Sequence, residues 1–388
     1  MPTVVELRKL ARARNIKGRS KMNKAQLMHA LNIKNTTKMT GRKVSRKVSR
    51  KATITSSNMF PKNPNKVTIV KTFNVLNPEK VADGLYEIKP DKPINSTYIA
   101  AFDMDHTLSY GEKKLFPIDE DDIYILPQRR EFLESLIQNG YRLLLFTNQF
   151  SRSKAQETKK LNRVSNFLQK LDLPMTAYVA TKKNEFRKPD IGAWTFFTST
   201  HKVDYSVFCG DALGRPGDFS DSDKQFGLNA GMQVVEPEKI FAPVTVSVHN
   251  QNPNLIMFVG PPGVGKSSIY NKYFKHYTHI SQDTLKTRNK VIKAIKNNIG
   301  NNMVIDGTNS QKVKRQEIYK LLPENYNIQI LYFVNDGRRG NSQRTGKDKV
   351  STIVYHVFFK KLDRPNNTEF LGHSGQVYTI DGYNVKFN

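Results

Sequence analysis

The chain has 388 residues, 38 % hydrophobic and 25 % charged, with a formal net charge of +28 and a single cysteine, Cys209. That length accommodates two or three domains, each with its own core. One cysteine excludes a disulfide framework or cysteine-built zinc cluster, and no apolar run approaches the roughly 20 residues that span a bilayer. Glu6, Arg8 and Lys9 stand where a secretory leader would be apolar, so an intracellular protein is expected. Cys209 itself reads as a small buried apolar residue. The excess of positive charge calls for a polyanionic partner.

That charge is uneven. Residues 1–66 hold eighteen Lys and Arg against one acid, Glu6. Within residues 1–33, Val4, Val5, Leu7, Leu10 and Ala11 recur at helical spacing and Asn15-Ile16-Lys17-Gly18 breaks the pattern. Asn23 then caps a second helix carrying Leu27, Met28 and Leu31. This stretch resembles the small helical modules of the SAP and Rho-N-terminal type, which implies nucleic-acid binding; a merely solubilising basic module is the alternative. Residues 34–66 carry ten Lys or Arg, no acid, and the repeat RKVSRKVSRK from Arg42 to Lys51. Self-repulsion and scant apolar content predict a disordered basic linker, suited to phosphate contacts or to a localisation signal.

From residue 67 to 242 apolar strands (YIAAFD, YRLLLFT, YSVFCGD) alternate with amphipathic helices (QRREFLESLIQNG, AQETKKLNRVSNFLQKL). Nearly continuous apolar strands separated by helices predict a doubly wound parallel sheet covered on both faces. Residues 243–252 form a polar connector. The strand LIMFV then opens a second α/β unit, residues 253–388, with a parallel sheet of the same class.

The first unit carries Asp103-Met104-Asp105-His106-Thr107 at the end of a buried strand, where open α/β sheets place their ligands. Asp103 can attack a phosphate and form an aspartyl-phosphate. Asp105 can protonate the leaving oxygen and later activate water. Thr147 and Asn148 follow the strand YRLLLF and offer a hydroxyl and an amide to phosphate oxygens. Lys188, in FRKPDIGAW, can neutralise charge on the phosphoryl group. Asp103, Asp105 and Asp211 are the candidate Mg²⁺ ligands. Those four elements in that order resemble the haloacid dehalogenase superfamily. His106 departs from that pattern, where glycine is frequent. Only about nineteen residues separate the nucleophile strand from the next helix, too few for a separate cap domain. An open site is therefore expected, suited to a phosphate at the end of a polymer.

The second unit carries Gly260, Pro261, Pro262, Gly263, Val264, Gly265, Lys266, Ser267 and Ser268 between a strand and a helix. This is a P-loop, whose backbone N–H groups cradle phosphates, with Lys266 reaching the β- and γ-phosphates and Ser267 binding Mg²⁺. Nucleotide binding, with ATP as the nucleotide, is the expectation. Asp283 in QDTL can accept the proton of an attacking hydroxyl, or it can simply cap a helix. Asp306, Thr308 and Asn309 read as support for the nucleotide site. Arg338, Arg339 and Arg344 read as a phosphate-clamping lid.

Taken together, FDMDHTL, GYRLLLFTNQ, RKPDIGAW, CGDALGRPGDFSDSDKQFGLNAG, VGPPGVGKSS, QDTL and IDGTN resemble the bifunctional polynucleotide kinase 3′-phosphatases over the whole chain after residue 95. The resemblance implies removal of 3′-phosphates and phosphorylation of 5′-hydroxyls on DNA, with Asp103 as nucleophile, Asp105 as acid–base and Asp283 as kinase base. It also implies a role for Asp223 in the segment FSDSD. DNA ends are then the substrate, and a DNA ligase or other repair proteins are conceivable partners. A monomer suffices. The site of action would be a nucleus, or a viral replication site or virion for a virally encoded chain. Gln282 replaces the family's usual arginine, and the basic helical module replaces the phosphopeptide-binding domain of the animal enzymes. RNA-end repair and a phosphatase with a degenerate kinase head are the alternatives.

Overall fold

The computed structural model describes residues 59–65, 68, 72–111, 117, 119–248, 253–381 and 385–388. The expected helical module of residues 1–33 lies outside the described residues, as does most of the expected linker. The linker's far end is corrected. Residues 59–65, placed in the tether by their neighbours' charge, pack against the first unit. Met59 and Phe60 are 7 % exposed, Tyr141 donates to the Pro61 carbonyl at 2.7 Å, and Asn63 donates to the Gly140 carbonyl at 2.9 Å. Two apolar side chains and one amide outweigh the sparse charge around them.

The first unit begins with β1 (Glu79–Ala82) and β2 (Leu85–Ile88), followed by β3 (Tyr98–Phe102). A short hairpin of β4 (Ser109–Tyr110) and β5 (Tyr124–Ile125) precedes β6 (Arg142–Asn148), β7 (Met175–Ala180), β8 (Tyr205–Cys209) and β9 (Gln233–Val235). The main sheet has the order β1-β2-β7-β6-β3-β8-β9. Its strands from β7 to β9 are parallel, whereas β1 and β2 add an antiparallel edge. Residues of β3 alternate between two cores. Ala100 and Phe102 face one with Leu143 and Leu145, while Ile99 and Ala101 face the other with Leu144 and Phe146. Burial on both faces is why β3 and β6 read as continuous apolar runs.

The second unit follows β10 (Val244–Val246) and comprises β11 (Asn254–Val259), β12 (Thr278–Ser281), β13 (Met303–Asp306), β14 (Asn327–Phe333), β15 (Ser374–Ile380) and β16 (Val385–Phe387). The parallel order is β12-β13-β11-β14-β15, and β10 pairs in parallel with β16. In both sheets the chain steps to one side of the first parallel strand and later to the other. The carboxyl ends of β3 and β11 therefore open into crevices.

All described residues belong to one compact unit, and the two sheets share apolar packing. Tyr110 and Leu126, which flank the β4–β5 hairpin, belong to the core built by Leu255, Met257, Ile305 and Ile330 of the second sheet. Arg129, only 1 % exposed, donates to the Thr107 carbonyl at 3.1 Å and pairs with Asp381 beyond β15 at 2.5 Å. Its guanidinium also lies 3.8 Å from the centre of the Phe241 ring. Among the described residues no helix is long and apolar enough to cross a membrane.

Candidate active sites

Asp103 leaves β3 with its backbone N–H bonded to the Cys209 carbonyl at 2.9 Å. Its carboxylate therefore projects from the crevice between β3 and β8. Lys188, 4 % exposed, places its ammonium 2.5 Å from Asp103 and 2.8 Å from Asp223. Asp103, Asp211 and Asp223 each offer a carboxylate oxygen, and these atoms lie within 4.8 Å of one another. Three carboxylates against one ammonium leave two negative charges in a desolvated space. Burial pushes the Asp103 carboxyl up to about 7 against the pull of Lys188. Burial, with Asp103 and Asp223 alongside, pushes Asp211 well up. Burial pulls the Lys188 ammonium down, but Asp103 and Asp223 outweigh it and the net direction is up. A crowded set of hard oxygen donors with surplus negative charge fits a divalent cation.

Asp223 opens the helix Ser222–Asn229 and accepts the Ala212 N–H at 3.1 Å. Its approach requires a glycine opposite, because a Cβ on Gly210 would sit 2.4 Å from the Asp223 Oδ2. Asp223 thus takes the third place in the acid cluster that the sequence reading gave to Asp105. Asp105 is held elsewhere: Arg163 grips both its oxygens, one at 3.3 Å, and Gln149 donates to it at 2.8 Å. Burial raises the Asp105 carboxyl, but Arg163 overrules it and the net direction is down.

Arg163 and Gln149 were missed by the motif reading. Arg163 did leave a signal. It lies on the buried arc of the helix Lys154–Leu171 beside Leu161, Val164 and Leu168, and a cation there needs a partner inside.

Thr147 is 2 % exposed, and its hydroxyl accepts from Gln149 at 2.8 Å. Asn148 lines the cleft of Asp103. Its amide both donates to the Lys188 carbonyl and accepts the Lys188 N–H, each at 3.0 Å, so it fixes the lysine segment. His106 has φ 65°, a left-handed conformation that glycine adopts freely. This accounts for glycine being frequent there. Cys209 is fully buried.

In the second unit, β11 leads into the loop Gly260–Gly265 and the helix Lys266–Tyr273. Lys266 donates to the Gly260 and Pro261 carbonyls at 2.9 and 2.7 Å. Burial pulls its ammonium down to about 8, only partly opposed by Asp306 and Asp283. Ser267 donates to Asp306 at 3.3 Å, and Asp306 also meets the His279 ring nitrogen at 3.2 Å. That hydroxyl–carboxylate pair beside a P-loop suits a nucleotide-bound cation. Pro262 accepts from the Tyr355 hydroxyl at 3.1 Å. Val264 is buried, and Ser268 is exposed. Ser281, and not Asp283, caps the helix Gln282–Leu285. Asp283 is exposed and makes no hydrogen bond or ion pair among the described residues. Asn309 donates to the Phe258 carbonyl at 2.8 Å, which buttresses β11.

The charges of Arg338 and Arg344 both bear on Tyr355, whose hydroxyl meets the Pro262 carbonyl of the P-loop. The charge of Arg344 bears on Lys266. Arg338 and Arg339, in the short helix Arg338–Ser342, line a cleft of about 1320 Å³ that contains Asp103, Lys188 and Asp211 and reaches Gly263 and Val264 of the P-loop. Phe219, 94 % exposed, and the cations Arg152, Lys159 and Arg187 line the same cleft.

The family profile described as "Polynucleotide kinase 3 phosphatase" matches residues 98–241. Similar proteins include a putative bifunctional polynucleotide phosphatase/kinase of Acanthamoeba polyphaga mimivirus, 27 % identical over 79 % of this chain and 89 % of that protein. Residues 98–241 of this chain therefore belong to the polynucleotide kinase 3-phosphatase family. A bifunctional polynucleotide phosphatase/kinase of Schizosaccharomyces pombe is 30 % identical over 59 % of this chain and 65 % of its own length. An uncharacterised 20.8 kDa protein of Autographa californica nuclear polyhedrosis virus is 38 % identical over 37 % of this chain and 85 % of its own length.

Proposed function

We propose that this polynucleotide phosphatase/kinase heals DNA ends, removing a 3′-phosphate at Asp103 and transferring the ATP γ-phosphate to a 5′-hydroxyl at the P-loop. The observation that carries the reading is the Lys188 ammonium between Asp103 and Asp223 at the base of a cleft walled by cations and an exposed phenylalanine. A strand end fits such a cleft. Arg152, Lys159 and Arg187 attract its phosphates, and Phe219 offers a stacking face for a base. The strongly basic stretch of residues 1–66 favours a nucleic-acid substrate, and its resemblance to SAP modules favours duplex DNA.

In the phosphatase site, the Asp103 carboxylate attacks phosphorus as the bond to the 3′-oxygen breaks, forming an aspartyl-phosphate. The leaving oxygen takes a proton from Asp105. Water then attacks the aspartyl-phosphate, Asp105 takes the proton from that water, and inorganic phosphate leaves. Asp105 enters the first step protonated, and once its proton has gone to the leaving oxygen Arg163 favours the carboxylate, the state that activates water. Mg²⁺ held by Asp103, Asp211 and Asp223 would supply positive charge against the phosphoryl oxygens. Lys188 supplies further charge from the side, and Thr147 offers a hydroxyl to the transferring group. In the kinase site, the 5′-hydroxyl oxygen attacks the γ-phosphorus while Asp283 accepts its proton, the bond from that phosphorus to the β,γ-bridging oxygen breaks, and ADP leaves. Lys266 and Arg344 meet the phosphate charge.

The test is a nicked duplex with 3′-phosphate and 5′-hydroxyl termini, with Mg²⁺ and ATP, beside the same termini on RNA. Wild type should convert both DNA ends. Asp103→Ala should lose only 3′ release, and Lys266→Ala only 5′ transfer. Persistence of the 3′-phosphate with wild type would overturn the assignment, and faster conversion of the RNA would overturn the choice of DNA.

A further inference from the structure

The phosphatase cleft is not built by the phosphatase half alone. Residues 335–340 and Gln343 of the nucleotide-binding half line it, facing Asp103 and Lys188 across the same space. Their position is fixed by backbone packing on two sides. Toward the P-loop, a Cβ on Gly340 would lie 2.0 Å from the Gly263 carbonyl oxygen. Toward the first unit, a Cβ on Gly217 would lie 2.3 Å from the Arg339 Cα. Gly217 belongs to the loop that follows Asp211. Contacts this close leave the short helix Arg338–Ser342 little room to move away from either half.

The charges on that wall matter. Of the cations supplied by the first half, Arg163 is matched by Asp105, and Arg215 by Asp218, Glu236 and Glu238. Arg339 meets the same Glu238 through one nitrogen at 2.9 Å, and its side chain remains 43 % exposed. One carboxylate is thus shared by two guanidinium groups. Arg338 lies 3.6 Å from Asp336, and its charge bears on His106, which follows Asp105 in the chain. Two arginines therefore stand at the cleft wall beside the acid motif, where a strand ending at Asp103 must pass.

We propose that Arg338 and Arg339, supplied by the kinase half, are substrate-positioning residues of the phosphatase, holding internucleotide phosphates of the strand whose 3′-phosphate lies at Asp103. This rests on the polymeric substrate proposed above. The guanidinium fork suits phosphate oxygens, and such contacts add affinity for a strand but nothing for a small ester.

The test compares release of phosphate from a 3′-phosphorylated oligonucleotide and from p-nitrophenyl phosphate by the full chain. The variants are Arg338→Ala, Arg339→Ala, the double variant, and Arg338→Lys with Arg339→Lys. In the double alanine variant the ratio of kcat/KM for the oligonucleotide to that for the aryl ester should fall about tenfold or more, mostly through KM, with a shallower salt dependence. The lysine variant should recover most of the ratio, because it keeps the charge. An unchanged ratio, or equal loss on both substrates, would overturn the proposal, as would a lysine variant as impaired as the alanine one. If wild type hydrolyses only the aryl ester, the polymeric-substrate reading falls and this proposal with it. If wild type acts on the oligonucleotide and the ratio does not move, only this proposal falls.

Discussion

Arg129 and Asp381 form an ion pair at 2.5 Å across 252 residues of sequence, joining the start of the first unit's helix Arg129–Gln138 to the chain just beyond β15. The arginine is buried and the aspartate is 21 % exposed. Removing one partner of a buried pair strands the other charge in a poor solvent. Arg129→Met keeps bulk against Phe241 but abandons Asp381, while Asp381→Asn abandons Arg129. Each should lower unfolding free energy by about 3 kcal/mol, at the low end for a broken buried pair because Asp381 reaches water. Urea denaturation monitored by tryptophan fluorescence would read this. A loss below about 1 kcal/mol would mean the pair is solvated like a surface bridge.

Gly210→Ala should act on one head only. The new Cβ would press on Asp223 and push it off Lys188. We expect 3′-phosphatase activity to fall by about 100-fold or more, as for loss of preorganised charge at a reacting centre, with 5′-kinase activity retained. Parallel assays on one preparation check this, and a phosphatase within about tenfold of wild type would sink it.

The Asp105–Arg163 pair sets a pH dependence. The folded carboxyl of Asp105 is held below its ordinary value by Arg163. A depressed carboxyl stabilises the fold above the unfolded value of about 3.9, and that stability is lost as pH falls through the folded value. The acid limb of 3′-phosphate release, where Asp105 must be ionised to activate water, should therefore lie low. Arg163→Met should shift it to higher pH, by about one unit or more. A stationary limb in the pH–rate profile would show that Asp105 does not govern it.

Lys266 titrates from the other side. Burial brings its ammonium down to about 8, so at pH 8 roughly half of it is neutral before nucleotide binds, by its own titration. Triphosphate oxygens favour the charged form. Binding at pH 8 should therefore take up to about half a proton, and almost none near pH 6. Calorimetry of ATP binding in buffers of different ionisation enthalpy reads the uptake directly. Lys266→Arg should abolish it. Equal uptake in that variant would assign the proton to another group.

Much of this architecture was legible in the sequence because the signals were local. A buried parallel strand announces itself by a run such as that of β3. Asp103, Asp211 and the P-loop each sit just after such a strand, where the chain has little choice of direction. The antiparallel edge of β1 and β2 was less legible, since four-residue strands carry too few alternations to show a period.

Partners of side chains were illegible for a different reason. Asp105 stands two residues from Asp103, yet it is claimed by Arg163, which is 58 residues away. Nothing local tells whether an amide such as that of Asn148 faces substrate or the backbone of Lys188. That Arg338 and Arg339 also line the cleft of Asp103 depends on how two sheets sit together, which no window of one unit contains.

Tyr110 and Leu126, buried in the second unit's core, bear on how the chain is made. Phe370, the last buried member of that core, follows Leu126 by roughly 240 residues, on the order of 12–50 s of synthesis at ordinary elongation rates. During that interval the first unit can close its own sheet while still presenting an unfilled apolar knob to solvent. The core around Tyr110 and Leu126 can therefore close only once the second unit's last strands have been made.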